Sequence, residues 1–480
     1  MSKKGLKRIL LLVDFKYRDL AGLALVKVLL ERLGPYEGLL VPSVPSVEER
    51  LYLRKFKPHL VVFPRFFSSD QAARAYRLRQ QGIGVAVLPT EGAPLMSDGR
   101  LQVSGKFVDL SPVNLFFVWN RSIAELARIH KTISPERCLV GGVPRFDFYH
   151  PPFNQLILTK EHFCEKYAMD PRRPTITWAT NFGFTRLLGK PADIADCMKR
   201  YAEDGLAKQP LYQDIPGLIE RDVESRQVLT EGVFHLAKKV PDSYVVIKLH
   251  PAEDRDWYQQ QLISKGLHNV RLVAREYIWN VLNATDVHLH RSCMTAMEAW
   301  FLDKPTLDLQ FAPREFYFAK ELAPGGDVIY SLEECVRKVR YYLSHGTISL
   351  EQRQARPKII EEFCGQVDGK SALRHAEAMH AWLQTSGKEP AISGIEKKDL
   401  RLAVTLSIKS LFGLQPYHSL RTWLRGGVVE DSREKYFKPE EAQEWVHHIR
   451  QVLDGVRSRG PVEDEAKAME VEIGSGGRHG

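Results

Sequence analysis

Apolar residues fall into two alternating patterns along the first third of the chain. Short solid runs (Arg8 to Val13, Leu39 to Val41, His59 to Phe63, Val85 to Leu88, Leu115 to Trp119, Cys138 to Val140) have the length of strands buried on both faces. Between them lie longer stretches with helical spacing, from Leu20 to Leu33, Gln71 to Gln81 and Arg121 to His130. Strands separated by helices predict a parallel sheet covered on both sides, so residues 1–165 are expected to form one doubly wound, Rossmann-like domain. After Pro171 and Pro174 the alternation restarts, with strands expected at Thr175 to Ala179, Tyr244 to Leu249, Val270 to Val273, Asp286 to His290 and Thr306 to Leu309, and a long helix near Arg221 to Lys239. A second such domain is expected over 166–345. Helical patterns follow at Leu332 to Leu343, Leu350 to Cys364 and Ser371 to Gln384, predicting a helical extension over 346–459, and the Gly- and Glu-rich stretch 460–480 is expected to be a disordered tail. The fold class is α/β: two doubly wound, Rossmann-like domains expected to face a cleft, with C-terminal helices. Open α/β sheets bind ligands outside the carboxyl ends of their strands, so the loops after strands are where chemistry is sought.

Composition narrows the class. With 44% hydrophobic and 26% charged residues among 480, the chain is of the ordinary globular kind, not wholly disordered, collagen-like or a disulfide scaffold. An excess of 68 Lys and Arg over 59 Asp and Glu gives +9, too modest to imply a nucleic-acid partner, and none is expected. The six cysteines are far apart and form no CxxC pair, which fits a reducing cytoplasm. The apolar run Ile9 to Val13 is too short for a secretory core, and no stretch reaches the roughly 18 apolar residues of a membrane-spanning helix. One segment, Lys397 to Arg425, sets Lys397, Lys398, Arg401, Lys409, Arg421 and Arg425 beside Leu402, Val404, Leu406, Ile408, Leu411, Phe412, Leu414, Trp423 and Leu424. Two readings stand level: such a stretch could rest on an anionic membrane surface, which would place the protein peripherally at the inner face of the cytoplasmic membrane, or form a helix packed on the body with its basic side in water.

Three strand ends carry candidate chemistry. Val85 to Leu88 runs into Pro89, Thr90, Glu91 and Gly92, which presents a carboxylate at the sheet's edge where it could take a proton from a substrate hydroxyl. A loop acid capping a turn is the plain alternative. The strand before Lys248, His250 and Pro251 ends in an imidazole able to donate to a departing phosphate oxygen. After Asp286 to His290, Ser292, Cys293 and Thr295 open a helix that includes Glu298; hydroxyls and backbone N–H groups there could meet a phosphate, and Glu298 could accept from ribose hydroxyls. An ordinary Ser/Thr cap accounts for Ser292 but not for the whole layout. Arg145 and Asp147 after a Gly-Gly turn, and Thr180 and Asn181 after a strand, are expected to line the interdomain cleft. His288 and His290 share a strand face without a visible third ligand, and Asp254 and Asp256 do not share a helix face, so no metal is expected. No P-loop, GxSxG, HExxH or full GxGxxG motif occurs.

Taken in order, Arg18-Asp19, Thr90-Glu91-Gly92, the stretch from Gly142 to Asp147, His250-Pro251 and the Ser292, Thr295, Glu298 set resemble the bacterial surface carbohydrate biosynthesis protein family. The set is similar, more distantly, to GT-B glycosyltransferases that use CMP-activated acidic sugars, including sialyl- and Kdo transferases, and covers residues 6 to 385. The resemblance implies a GT-B-like, metal-independent glycosyltransferase. It would move an acidic ulosonic sugar such as Kdo, or a sialic-acid-like sugar, from a CMP-linked donor to a surface glycan or lipid-linked glycan acceptor, in lipopolysaccharide or capsule assembly. The nucleotide sugar is then a co-substrate and no further cofactor is implied. Carried across, the base falls on Glu91, the group facing the leaving phosphate on His250, and phosphate binding on Ser292 with Thr295; Lys248, Pro251, His290 and Glu298 complete the nucleotide side. Thr90 stands where the sialyltransferase pattern commonly has a first acid. Two alternatives stay open: a CDP-alcohol phosphotransferase of the teichoic acid type, and a catalytically silent nucleotide-binding scaffold in glycan assembly.

Overall fold

The computed structural model describes residues 5–43, 47–91, 97–203, 206–208, 210–386, 389–392, 397–411 and 435–455. They fall into two units, one from residues up to 92, 101–147 and 370–450, the other from 93–100, 148–369 and the end of the chain.

In the first unit six parallel strands, β1 (Lys7–Val13), β2 (Tyr36–Pro42), β3 (Leu60–Phe63), β4 (Gly84–Val87), β5 (Leu115–Val118) and β6 (Cys138–Val140), lie in the order β2-β1-β3-β4-β5-β6. Strand β2 is longer than its apolar core predicts because it pairs with β1 all the way from Lys7 opposite Tyr36 to Val13 opposite Pro42. Side chains alternate across the sheet. Leu10, Leu12, Val61, Phe63, Val85 and Val87 pack together on one face with Ala72, Ala75 and Leu78 of the helix Ser69–Gln80. That helix begins with a capping box between Ser68 and Gln71.

The opposite face of the first sheet takes part of its cover from far along the chain. The helix Ser371–Thr385 packs beside the helix Ala21–Leu33, and its Trp382 ring fills the space at Gly84, where a Cβ would stand 2.1 Å from the indole. His375 lies against Phe117 and occupies the space at Gly141, where a Cβ would sit 2.4 Å from its ring. The helix has no side-chain cap of its own. Asp147 supplies one, its two carboxylate oxygens accepting from the N–H groups of Ser371 (2.9 Å) and Ala372 (2.7 Å).

The second unit repeats the plan with β7 (Thr175–Ala179), β8 (Tyr244–Lys248), β9 (Val270–Val273), β10 (Val287–His290), β11 (Thr306–Leu309) and β12 (Asp327–Ile329), all parallel, ordered β12-β11-β10-β7-β8-β9. One face buries Ile176, Trp178, Val245, Ile247, Val287, Leu289 and Leu307 against Leu229, Val233 and Phe234 of the long helix Ile215–Lys239. The other packs Tyr244, Val246 and Val273 on Phe163 and Cys164. Each such apolar side chain contributes about 1.5–3 kcal/mol relative to exposure. The fold is therefore α/β with two Rossmann-like units, as the alternation predicts. The three-residue edge strand β12 and the helix Val47–Phe56 left no pattern that periodicity could separate from loop. Among the described residues no helix is long and apolar enough to cross a membrane.

Candidate functional site

Strand order reverses once in each sheet, between β1 and β3 in the first and between β7 and β10 in the second. Loops leave such a point in opposite directions and open a crevice at the carboxyl edge. In the second unit Thr180 and Asn181 follow β7, Arg291 and Ser292 follow β10, and His250 follows β8 next to β7.

His250 is exposed, and its loop is stitched to its neighbour. The His250 N–H donates to Thr180 Oγ1 at 2.9 Å, and the Ala252 N–H donates to His250 Nδ1 at 3.1 Å. A ring nitrogen that accepts from an amide carries no proton, so in the neutral imidazole the proton sits on Nε2. Behind it Glu253 joins two loops: Oε1 accepts from the Phe182 N–H at 2.9 Å, and Oε2 accepts from the Tyr258 hydroxyl. Burial pushes the Glu253 carboxyl up to about 7, against the pull of Tyr258, the Phe182 N–H and Thr180.

Beneath the switch point Arg291 is 1% exposed. Its Nη1 donates to Asp222 at 2.7 Å and its Nε to Glu315 at 2.9 Å, with the rings of Phe182 and Phe316 around the guanidinium at 4.8 and 5.0 Å. Burial alone would weaken its hold on the proton, but Glu315 and Asp222 outweigh that and keep it charged. The Arg291 carbonyl accepts from Asn181 Nδ2 at 2.8 Å, tying β10 to β7. Asn181 Oδ1 and Arg291 Nη2 are buried with no hydrogen-bond partner among the described residues.

The other residues singled out on this side are mostly engaged inside the unit. Ser292 has φ of +41°, an unusual backbone held by its N–H and Oγ donating to the two Asp308 oxygens at 2.8 and 2.7 Å. Its Oγ also accepts from the Ala319 N–H at 2.9 Å and from Gln310 at 3.3 Å, so its hydrogen-bonding capacity is used in fixing the turn. Thr295 Oγ1 pairs with His288 Nε2 at 2.9 Å. His288 and His290 stack at 5.8 Å, and burial keeps both imidazoles neutral. Glu298 is buried and accepts from the Tyr149 hydroxyl at 2.8 Å. Lys248 turns its ammonium onto the carbonyls of Leu249 and Ala274 at 2.9 and 2.8 Å. Pro251, like His250, is exposed.

In the first unit a wide helical turn, Lys16–Leu20, follows β1 and returns Arg18 over the strand ends. Arg18 donates to Asp19 (2.7 Å from Nε, 3.0 Å from Nη2), to Asp14 at 3.3 Å and to Thr90 Oγ1 at 3.0 Å, and its Nη1 forms an ion pair with Glu91. Burial opposes its charge; Asp19, Glu91 and Asp14 reverse the balance, so the guanidinium is held more firmly protonated than usual. Arg65 (3.5 Å) and Lys435 (3.4 Å) also reach Asp14. Arg145 runs beneath the loop, its Nη1 donating to the Thr90 carbonyl at 2.8 Å while Trp119 Nε1 donates to the Pro89 carbonyl at 2.7 Å. Asp147 is the cap of the late helix, and burial pushes its carboxyl up to about 6 against its two N–H donors. Gly92 lies outside the described residues.

The structure thus gathers Thr90, Glu91 and Arg145 on one edge and Thr180, Asn181, His250 and Ser292 on another. Sequence reasoning passed over Asp14, Arg65, Asp222, Glu253, Arg291 and Glu315. Asp14 did leave a signal, a charged residue directly at the end of a solidly apolar strand. Asp222 left a second, an acid on the buried side of a helix.

No family model matches the chain, and no curated protein matches it in sequence. Many solved structures are alike in outline, three of which follow. A co-structure of S. aureus MnaA with UDP aligns with 81% of this chain and 100% of its own at 12% identity and a TM-score of 0.49. UDP-GlcNAc 2-epimerase from Neisseria meningitidis bound to UDP-GlcNAc covers 78% and 99% at 14% and 0.47. The wall teichoic acid polymerase TagF covers 81% and 91% at 13% and 0.48. The fold assignment rests on the two parallel sheets themselves.

Proposed function

We propose that the chain is a nucleotide-sugar-dependent glycosyltransferase whose donor phosphate is met by His250. The observation that carries this reading is the imidazole itself: it is exposed at the carboxyl end of β8, and the Ala252 amide fixes its proton on Nε2. In the step proposed, the bond between the sugar's anomeric carbon and the phosphate oxygen breaks, and its electron pair stays on that oxygen. The Nε2–H hydrogen-bonds the oxygen as charge develops there, which favours the transition state over the ground state. The acceptor's hydroxyl oxygen forms the new bond to carbon, and a carboxylate takes its proton. Glu91 is proposed for that role on the resemblance described above. Asn181 Oδ1, buried at the switch point without a partner among the described residues, supports the reading as an acceptor for a ligand hydroxyl.

The donor proposed is a CMP-linked acidic sugar and the acceptor a surface glycan or glycolipid. A thermal-shift series with CMP, CDP, UDP and GDP tests the first half, because a ligand at a hundredfold excess over its Kd stabilises the native state by about 2.7 kcal/mol. Stabilisation by CMP together with release of free sugar from a CMP-linked donor is expected. Turnover of CDP-glycerol instead moves the assignment to phosphotransfer, and indifference to all four nucleotides overturns it.

A further inference from the structure

The helix Lys397–Leu411 packs against the helix Val47–Phe56 of the first unit, yet it leaves three large aliphatic side chains in water. Leu400 and Val404 are each 58% exposed and Ile408 is 39% exposed. Residues four apart drift by only about 40° around a helix, so the three form one continuous stripe. Among the described side chains the exposed charges beside it are Lys397 and Arg401, which lie about 60° and about 100° from Leu400 on opposite flanks. The polar groups near the stripe are muted: Thr405 and Ser407 turn their hydroxyls back onto the carbonyls of Arg401 and Ala403, each at 2.9 Å. A row of aliphatics flanked by cations, with its hydroxyls internally satisfied, is shaped for a surface that is apolar inside and negative at its rim.

From this geometry we infer that the exposed face of Lys397–Leu411 docks the protein on an anionic lipid bilayer, with Leu400, Val404 and Ile408 entering the acyl boundary and Lys397 and Arg401 meeting the headgroup phosphates. The net charge of +9 acts in the same direction. The inference stands apart from the catalytic reading and needs none of its residues.

Co-sedimentation of the full chain with vesicles of phosphatidylcholine alone, and of phosphatidylcholine mixed with phosphatidylglycerol, tests it. Binding to the mixed vesicles only is expected, weakening as salt screens the charges. Exchanging Leu400, Val404 and Ile408 together for Ser removes solvent-facing atoms, and circular dichroism verifies that the helix content is kept; the variant is expected to lose binding. Arg401→Ala is expected to weaken binding about fivefold, the usual contribution of one cation near an anionic surface. The inference fails if the wild type ignores mixed vesicles, if the triple Ser variant binds as well as the wild type, or if that variant converts a dimer into a monomer, which would make a second copy the stripe's partner.

Discussion

Arg18 and Arg291 hold corresponding places, each just beyond a strand that borders the reversal of its sheet, but they are built differently. Arg18 is 22% exposed along its side chain and reaches Glu91, which is 69% exposed. Arg291 is enclosed, and so are its partners Asp222 and Glu315. At its exposed end, where Glu91 meets water, the Arg18 network can exchange a partner for a ligand group at small cost, although Asp14 and Asp19 beneath it are buried. A closed one cannot, because each ion left behind would be buried alone. The comparison separates two tasks: the first edge carries adjustable charge, while the second carries a fixed frame that positions Asn181 and the turn at Ser292.

The sharpest way to break this contrast is Arg291→Ala. Stranding two buried carboxylates is expected to cost about 3–5 kcal/mol, read as a lowered denaturation midpoint of the second unit. A loss under about 1 kcal/mol would show that Arg291 is no frame. His250→Ala comes next: turnover is expected to fall about 100-fold or more while the denaturation midpoint moves little, since the ring is exposed and gives up its bond from the Ala252 N–H at the surface. Arg18→Ala is expected to cost only about 2 kcal/mol, because Asp14 keeps Arg65 and Lys435, and Asp19 keeps the Phe15 N–H. Equal losses for Arg18→Ala and Arg291→Ala would erase the distinction.

The most gradual effect is a pH dependence. Glu253 titrates near 4.5 when unfolded and at about 7 when folded, so between those values only the native state holds the proton. Stability contributed there is present below about pH 4.5 and is lost as pH rises toward 7, at no more than about 1.4 kcal/mol per pH unit. Glu253→Gln should flatten that slope in denaturation curves taken across the interval, and an unchanged slope would assign it to other groups.

The alternation of apolar runs was enough to read two parallel sheets, because strands buried on both faces are solidly hydrophobic and their connecting helices are not. Which unit a late helix joins was not legible: Ser371–Thr385 has ordinary helical spacing, and its attachment depends on Gly84 and Gly141, whose meaning appears only once Trp382 and His375 stand against them. The site shows the same division. Loops after strands pointed to Thr90, Glu91, Thr180, Asn181 and His250. The packing of Ser292, Glu298 and Lys248 was invisible, since a polar residue near a strand end looks the same whether its partner is solvent or the carboxylate of Asp308.

Because Asp147 holds the start of the helix Ser371–Thr385, the amino-terminal unit cannot finish folding on the ribosome in the order it is made. Part of one side of its sheet must wait uncovered while residues 148–370 are translated, an interval of about 10–50 s at roughly 5–20 residues per second. A nascent chain stalled before Ser371 would display that apolar side to chaperones.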